Sequence, residues 1–252
     1  MTGRAFVDLH CHTSASFDSL ASPASIVRAA AARGLTHLAI TDHERIDGAV
    51  AARDAAPAGL TVIVGEEVRT AEGDLICLFL DRAIPPGLPA AETIELVRAQ
   101  GGLVGIPHPF DRFRGSLLRD ERMESLAAAV DWIESHNARV VGSASNERAA
   151  AFAVEHSLPG VAVSDAHSVI EVGISYTVLD GDPGTPAGLL AALETVRLVP
   201  GRASYVARAF MPVAKLVNRV RRNRRIGPTA NDADRRDRGD RPEADRRPGE
   251  RR

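Results

Sequence analysis

The chain has 252 residues, 44% of them hydrophobic and 25% charged, with a formal net charge of -2. This is the composition of a globular protein with a real core, in one large domain or two small ones, and it excludes a basic nucleic-acid grip over the whole body. Two cysteines exclude a disulfide framework, and no apolar run approaches the ~20 residues that span a bilayer.

In chain order, Ala5–Cys11 reads as a strand that closes on Asp8-Leu9-His10-Cys11-His12. Pro23–Arg33 reads as a helix, with Ser22 as N-cap, Pro23 at the first helical position and Gly34 as the stop. His37–Thr41 is the next strand and Asp47–Ala56 a second helix. Leu60–Val64 and Leu75–Leu80 are strands, the latter a candidate hairpin partner. Ala90–Gln100 is helical and ends at Gly101-Gly102. Leu103–Ile106, Val130–Ser135 and Val161–Ser164 are further strands, separated by helices at Glu121–Ala129 and Ser145–His156. Short strands alternating with helices of this length predict βα units, and about seven strands suit a barrel better than an open sheet. In such barrels the chemistry gathers at the C-terminal strand ends. Val206–Val220 is amphipathic. From Arg221 onward the chain is Arg, Asp, Gly and Pro with almost no apolar residue, which predicts a disordered tail. The N-terminus lacks a charged segment followed by an apolar stretch, so a soluble cytoplasmic protein is expected, with no stable protein partner and no membrane contact.

Five segments carry metal-ligand residues where strands end: the first strand's His10-Cys11-His12, then Thr41-Asp42-His43, Gly65-Glu66-Glu67, Pro107-His108-Pro109 and Ser164-Asp165-Ala166-His167. A lone histidine on a strand is usually a core or surface residue, but five such ends on parallel strands would meet at one face. Period-two alternation puts Asp8, His10 and His12 on one face and Val7, Leu9 and Cys11 on the other. It also prefers Glu67 over Glu66 as the inward carboxylate, and it pairs Asp165 with His167 and Thr41 with His43. Mixed imidazole and carboxylate ligands suit zinc, manganese or iron(II).

These segments, in this order and spacing over residues 5–175, resemble the PHP family (polymerase and histidinol phosphatase). The resemblance implies a distorted seven-stranded (β/α) barrel over 1–205, two or three divalent metal ions, and hydrolysis of phosphate esters. It implies that His10, His12, Glu67 and Asp165 hold one metal, that Glu67 bridges to a second held by His108, and that Asp18, His43 and His167 hold a third. The sequence departs from the family at Asp74, where many relatives carry histidine. Asp74 is expected to take that histidine's place as a ligand of the second metal, the rival reading being a hairpin turn facing solvent.

Metal ions of this kind activate a water as hydroxide and polarise phosphoryl oxygens, so no Ser or Cys nucleophile is needed. Glu67, His43, His167 and Asp165 are the expected catalytic group. Arg112 and Arg114 follow the His108-Pro109-Phe110 turn and are candidate phosphate clamps, against a reading as solvated loop residues. His136 alternates with Glu134 and is a candidate substrate contact or an interior histidine. Asp42 and Glu44 flank His43 and are expected to orient it. Cys11 and Cys77 read as packed core. The expected substrate is a small phosphate monoester, a nucleotide or nucleoside bisphosphate, or the end of a short oligonucleotide. The rival readings are a non-catalytic PHP module and a histidinol-phosphate phosphatase.

Overall fold

The computed structural model describes residues 3–111 and 125–227. Arg112, Arg114 and the start of the expected 121–129 helix lie outside the described residues, as does everything beyond Gly227. The described residues form one sheet of nine strands: β1 (Arg4–Asp8), β2 (His37–Ile40), β3 (Thr61–Arg69), β4 (Asp74–Leu78), β5 (Leu103–Ile106), β6 (Trp132–Asn137), β7 (Gly160–Val163), β8 (Tyr176–Asp180) and β9 (Arg197–Val199). The order is β7-β6-β5-β4-β3-β2-β1-β8-β9. The helices are α1 (Pro23–Ala32), α2 (Asp47–Asp54), α3 (Ala90–Arg98), α4 (Ala144–Glu155), α5 (Pro186–Ala192) and α6 (Tyr205–Val220). The Ser22 side chain caps α1 by accepting from the Ser25 amide, with Pro23 inside the first turn.

The expected distorted α/β barrel forms, in a sheet of nine strands rather than a regular seven-fold βα alternation. β1, β2 and β3 are parallel neighbours, as are β5, β6 and β7. β4 runs antiparallel between the two triplets. Only Thr70–Gly73 separates β3 from β4, too short for a crossover helix, so the chain makes a hairpin. The Thr70 hydroxyl closes that turn by donating to the Gly73 carbonyl at 2.7 Å. β8 and β9 add two further antiparallel pairings beside β1.

β8 brings the sheet nearly to closure as a barrel. The Thr177 hydroxyl accepts from the Ala162 amide and donates to the Ala162 carbonyl, both at 2.9 Å. One side chain therefore satisfies both backbone groups of a β7 residue. Inward-facing residues of eight strands form the barrel interior, among them Val7, Ala39, Ile63, Ile76, Trp132 and Val163. Trp132 has room because residue 105 is glycine: a Cβ there would lie 2.1 Å from the indole Cε2. Outside the barrel, one apolar layer packs under α3 and another, including Cys11, under α1 and α2.

The C-terminal segment also departs from expectation. Residues 221–227, read from composition as the start of a disordered tail, turn back after α6 onto the C-terminal strand ends. The Asn223 amide donates to the carbonyls of Ser14, Ala15 and Ser16 at 3.1–3.3 Å. No helix among the described residues is long and apolar enough to cross a membrane.

Thr177→Val keeps the shape but leaves the Ala162 amide and carbonyl without their partner in a dry seam. Chemical denaturation is expected to show a loss of about 1–3 kcal/mol. An unchanged unfolding midpoint would mean that the seam is held by packing alone.

Candidate metal centre

Inward phase delivers the site. Ala39 and Ile63 belong to the interior, and the same alternation carried forward reaches His43 and Glu67. Val161 and Val163 lead in the same way to Asp165 and His167. β1 obeys a different rule. Ala5, Val7 and Leu9 point into the barrel, while Phe6 packs outside. Asp8 bonds the amides of Ser164 (3.0 Å) and Gly173 (3.3 Å) rather than facing the site. The expected shared face of Asp8, His10 and His12 is thus corrected. Asp8 Oδ1 also accepts from the His10 amide at 3.4 Å, a local turn that shifts the alternation and sends His10 and His12 inward.

Two ligand groups meet there, His10–His12–Glu67 and His12–Asp18–His43–His167. His10 Nε2 and His12 Nε2 lie 2.9 Å apart, each 3.4 Å from Glu67 Oε2. Asp165 Oδ1 stands 3.7 Å and 3.6 Å from the same two nitrogens. Glu67 also reaches His43 Nδ1 at 3.2 Å and, through Oε1, His108 Nε2 at 3.3 Å. Asp18 Oδ2 lies 3.3 Å from both His43 Nε2 and His167 Nε2. All of these side chains are buried.

The donor set fits divalent metal. Two facing imidazole nitrogens 2.9 Å apart need a cation or a shared proton between them. Ligand nitrogens on one metal, with bonds of about 2.1 Å, stand roughly 3 Å apart. Burial and the neighbouring His167, His43 and His10 push the His12 imidazolium well below its ordinary range, so His12 offers a lone pair. Burial would raise Glu67, but His43 and the hydrogen bonds from His10 and His108 outweigh it and keep the carboxylate ionised. Burial would also lower His43, yet Glu67 and Asp18 lift it to about 9. Asp18 is held well below the carboxylate range by His167 and His43, against the effect of burial. His12 and Glu67 thus keep a nitrogen and an oxygen donor available, while His43, beside two carboxylates, holds a proton that a bound cation would displace.

A residue outside the sequence-derived set organises His10. Glu134 Oε1 lies 2.6 Å from His10 Nδ1, and Oε2 accepts from the His108 amide and from Asn137 Nδ2, each at 2.8 Å. The Nδ1 proton is thereby fixed, leaving Nε2 to face the centre. Asn137 also donates to Asp165 Oδ2 at 3.0 Å. A carboxylate directly after the apolar Trp132-Ile133 pair of β6 was the available signal for Glu134.

Other expectations need correction. β6 breaks register between Glu134 and His136, so Asn137 takes the inward position. His136 Nε2 donates instead to the Gly201 carbonyl at 2.8 Å, and the substrate contact assigned to it has no geometric basis. Asp42 and Glu44 do not orient His43: Asp42 clamps the Thr13 amide and hydroxyl at 2.6 Å, and Glu44 pairs with Arg225 at 2.7 Å. Asp74 does not face solvent; it lines the same cavity as the ligand side chains but belongs to neither of the two ligand groups. It is buried, and its Oδ1 meets Arg225 Nη2 at 3.1 Å and Arg69 Nε at 3.7 Å. Burial and the nearby Glu67 raise its pKa. The cluster lines a cavity of about 500 Å³, and among the described residues Arg69, Arg139, Lys215 and Arg225 supply its cationic walls. Arg139 is committed to Glu171, whose other oxygen accepts from the His167 amide at 3.2 Å.

Residues 8–130 match the PHP domain and residues 143–197 the PHP-associated region. An uncharacterized protein of Methanocaldococcus jannaschii is 33% identical over 173 residues, covering 68% of each chain. A 5′-3′ exoribonuclease of Haemophilus influenzae is 32% identical over 117 residues, 41% of this chain and 42% of that one. Among solved structures, a two-domain protein of Bacteroides vulgatus containing a predicted PHP-like metal-dependent phosphoesterase aligns with a TM-score of 0.68 at 19% identity. That alignment covers 79% of this chain and 66% of the other, so this chain spans just under two thirds of its length.

Glu134→Ala removes the acceptor that fixes His10. Metal affinity, read by competition with a chelating dye, is expected to fall about 10–100-fold with the fold retained. Undiminished affinity would show that His10 needs no such support.

Proposed function

This chain belongs to the PHP family, and from that premise we propose that it is a metal-dependent hydrolase of phosphate esters, acting first on phosphomonoesters such as nucleotides. The observation that carries the reading is the convergence of His10 Nε2, His12 Nε2 and Glu67 Oε2 within 3.4 Å beside a second group built on Asp18, His43 and His167. His10, His12, Glu67 and Asp165 would hold one ion, Glu67 and His108 a second, and Asp18, His43 and His167 a third. Zinc, manganese and iron(II) all accept this donor mix. Bound ions of this kind supply an acidified water and neutralise charge on the phosphoryl oxygens.

The chain's own groups do the rest. Glu134 holds the His10 proton on Nδ1, away from the substrate side. Glu67, between His43 and His108, keeps negative charge at the centre of the cluster. Arg139 fixes the loop of His167 through Glu171. Arg112 and Arg114, which follow His108 in the sequence and lie outside the described residues, remain candidate hydrogen-bond donors to phosphate. The cavity of about 500 Å³ is of a size to take a mononucleotide. A second reading, release of nucleotides from an oligonucleotide end, is favoured by the similarity to the exoribonuclease.

Glu67→Gln is expected to fold normally and to lose turnover of p-nitrophenyl phosphate by orders of magnitude. Glu66→Gln is expected to be mild, because Glu66 faces away and accepts from the Ile84 amide. Elemental analysis and steady-state kinetics on both variants decide the matter. Equal activities with full metal content would remove Glu67 from the centre.

A further inference from the structure

The segment that follows α6 carries four arginines, Arg221, Arg222, Arg224 and Arg225. Three are exposed, and only Arg225 turns inward. Its position is built rather than accidental. Asn218, on α6, donates to the carbonyls of Phe17 (3.0 Å) and Ser19 (2.9 Å), on either side of Asp18. Asn223 bonds the same loop and accepts from Arg45 at 3.3 Å. These anchors lay the chain across the cavity mouth and place the Arg225 guanidinium between Glu44 and Asp74. The guanidinium lies 5.8 Å from the centre of the Phe17 ring, which in turn packs 4.9 Å from His43.

Arginine offers five N–H donors in a rigid fork. Nε and one Nη2 donor meet Glu44 and Asp74. The others have no acceptor among the described residues, and the side chain keeps 20% of its surface open at the cavity. The two carboxylates fix the fork without using all of it. The other cationic groups on this wall are less suited: Arg69 is half exposed, Arg139 is committed to Glu171, and Lys215, a point charge rather than a fork, lies 5.5 Å from the centre of the Phe17 ring.

We propose that Arg225, delivered by the C-terminal segment, is a substrate-binding residue that recognises the phosphoryl group presented to the metal centre. The assignment rests on the phosphoesterase reading above. It makes the segment 221–227 part of the binding site, and it gives Asp74 and Glu44 the role of positioning Arg225.

The test uses the full chain loaded with Mn(II) and inorganic phosphate as the probe, with binding read by calorimetry. Arg225→Gln is expected to weaken phosphate binding about 10–100-fold and to raise KM for p-nitrophenyl phosphate in parallel, with metal content unchanged; the chain stays folded, with an unfolding midpoint lowered by the loss of the ion pairs to buried Glu44 and Asp74. Arg225→Lys is expected to recover part of the loss. A chain ending at Gly227 should match the full chain, and one ending at Val220 should match Arg225→Gln. Unchanged phosphate affinity in Arg225→Gln overturns the proposal, as does a parallel loss of metal. So does full recovery in the Asp74→Asn, Arg225→Gln double variant, which would mean that Arg225 only neutralises Asp74. Phosphate binding needs no turnover. If no ester is hydrolysed, the phosphoesterase reading fails while calorimetry still decides the role of Arg225.

Discussion

The Glu67 carboxylate is the interaction on which the site depends. Its two oxygens stand within 3.4 Å of His10, His12, His43 and His108, which arrive from three other strand ends. Four buried imidazoles without an anion among them would repel as they charged, and a buried carboxylate without them would pay heavily for lost hydration. Each side makes the other tolerable. The parallel run of β1, β2, β3 and β5 is what lets groups so far apart in sequence share one carboxylate.

Around this core stands a second set of acids that serves the backbone. Asp8, Asp42 and Glu66 are fully buried, and burial raises them to about 6, 6 and 8. Asp8 ties the end of β1 to the loop after β7, Asp42 holds Thr13, and Glu66 receives the Ile84 amide. They fix the loops from which the inner residues project. Glu67 and Asp18 thus meet imidazole, whereas Asp8, Asp42 and Glu66 accept from backbone amides.

Much of this was legible in the sequence. Strand ends ending in histidine and carboxylate announced the cluster, and alternation chose Glu67 over Glu66 correctly because β3 is regular there. The same rule misassigned Asp8 and His136, because it cannot register a local turn at Asp8 or a bulge after Glu134. Asp74, expected as a metal ligand with a hairpin turn as the rival reading, continues the inward phase of Ile76 and Leu78. Arg225 gave no signal at all: in a stretch of arginines, composition says only that the segment is polar. What tells it apart is two asparagines that tie the segment down, and their carbonyl partners lie about two hundred residues earlier in the chain.

That separation has a consequence for how the molecule is made. Asn218 and Ser19 are 199 residues apart, and Arg225 and Glu44 181 apart. Contacts of such range close long loops and belong to the non-local class that slows folding. On a chain emerging from the ribosome, the barrel can assemble its imidazole cluster while the segment that crosses its mouth is still being synthesised. Among the described residues that line the cavity, Arg225 on this segment is thus the last to be made.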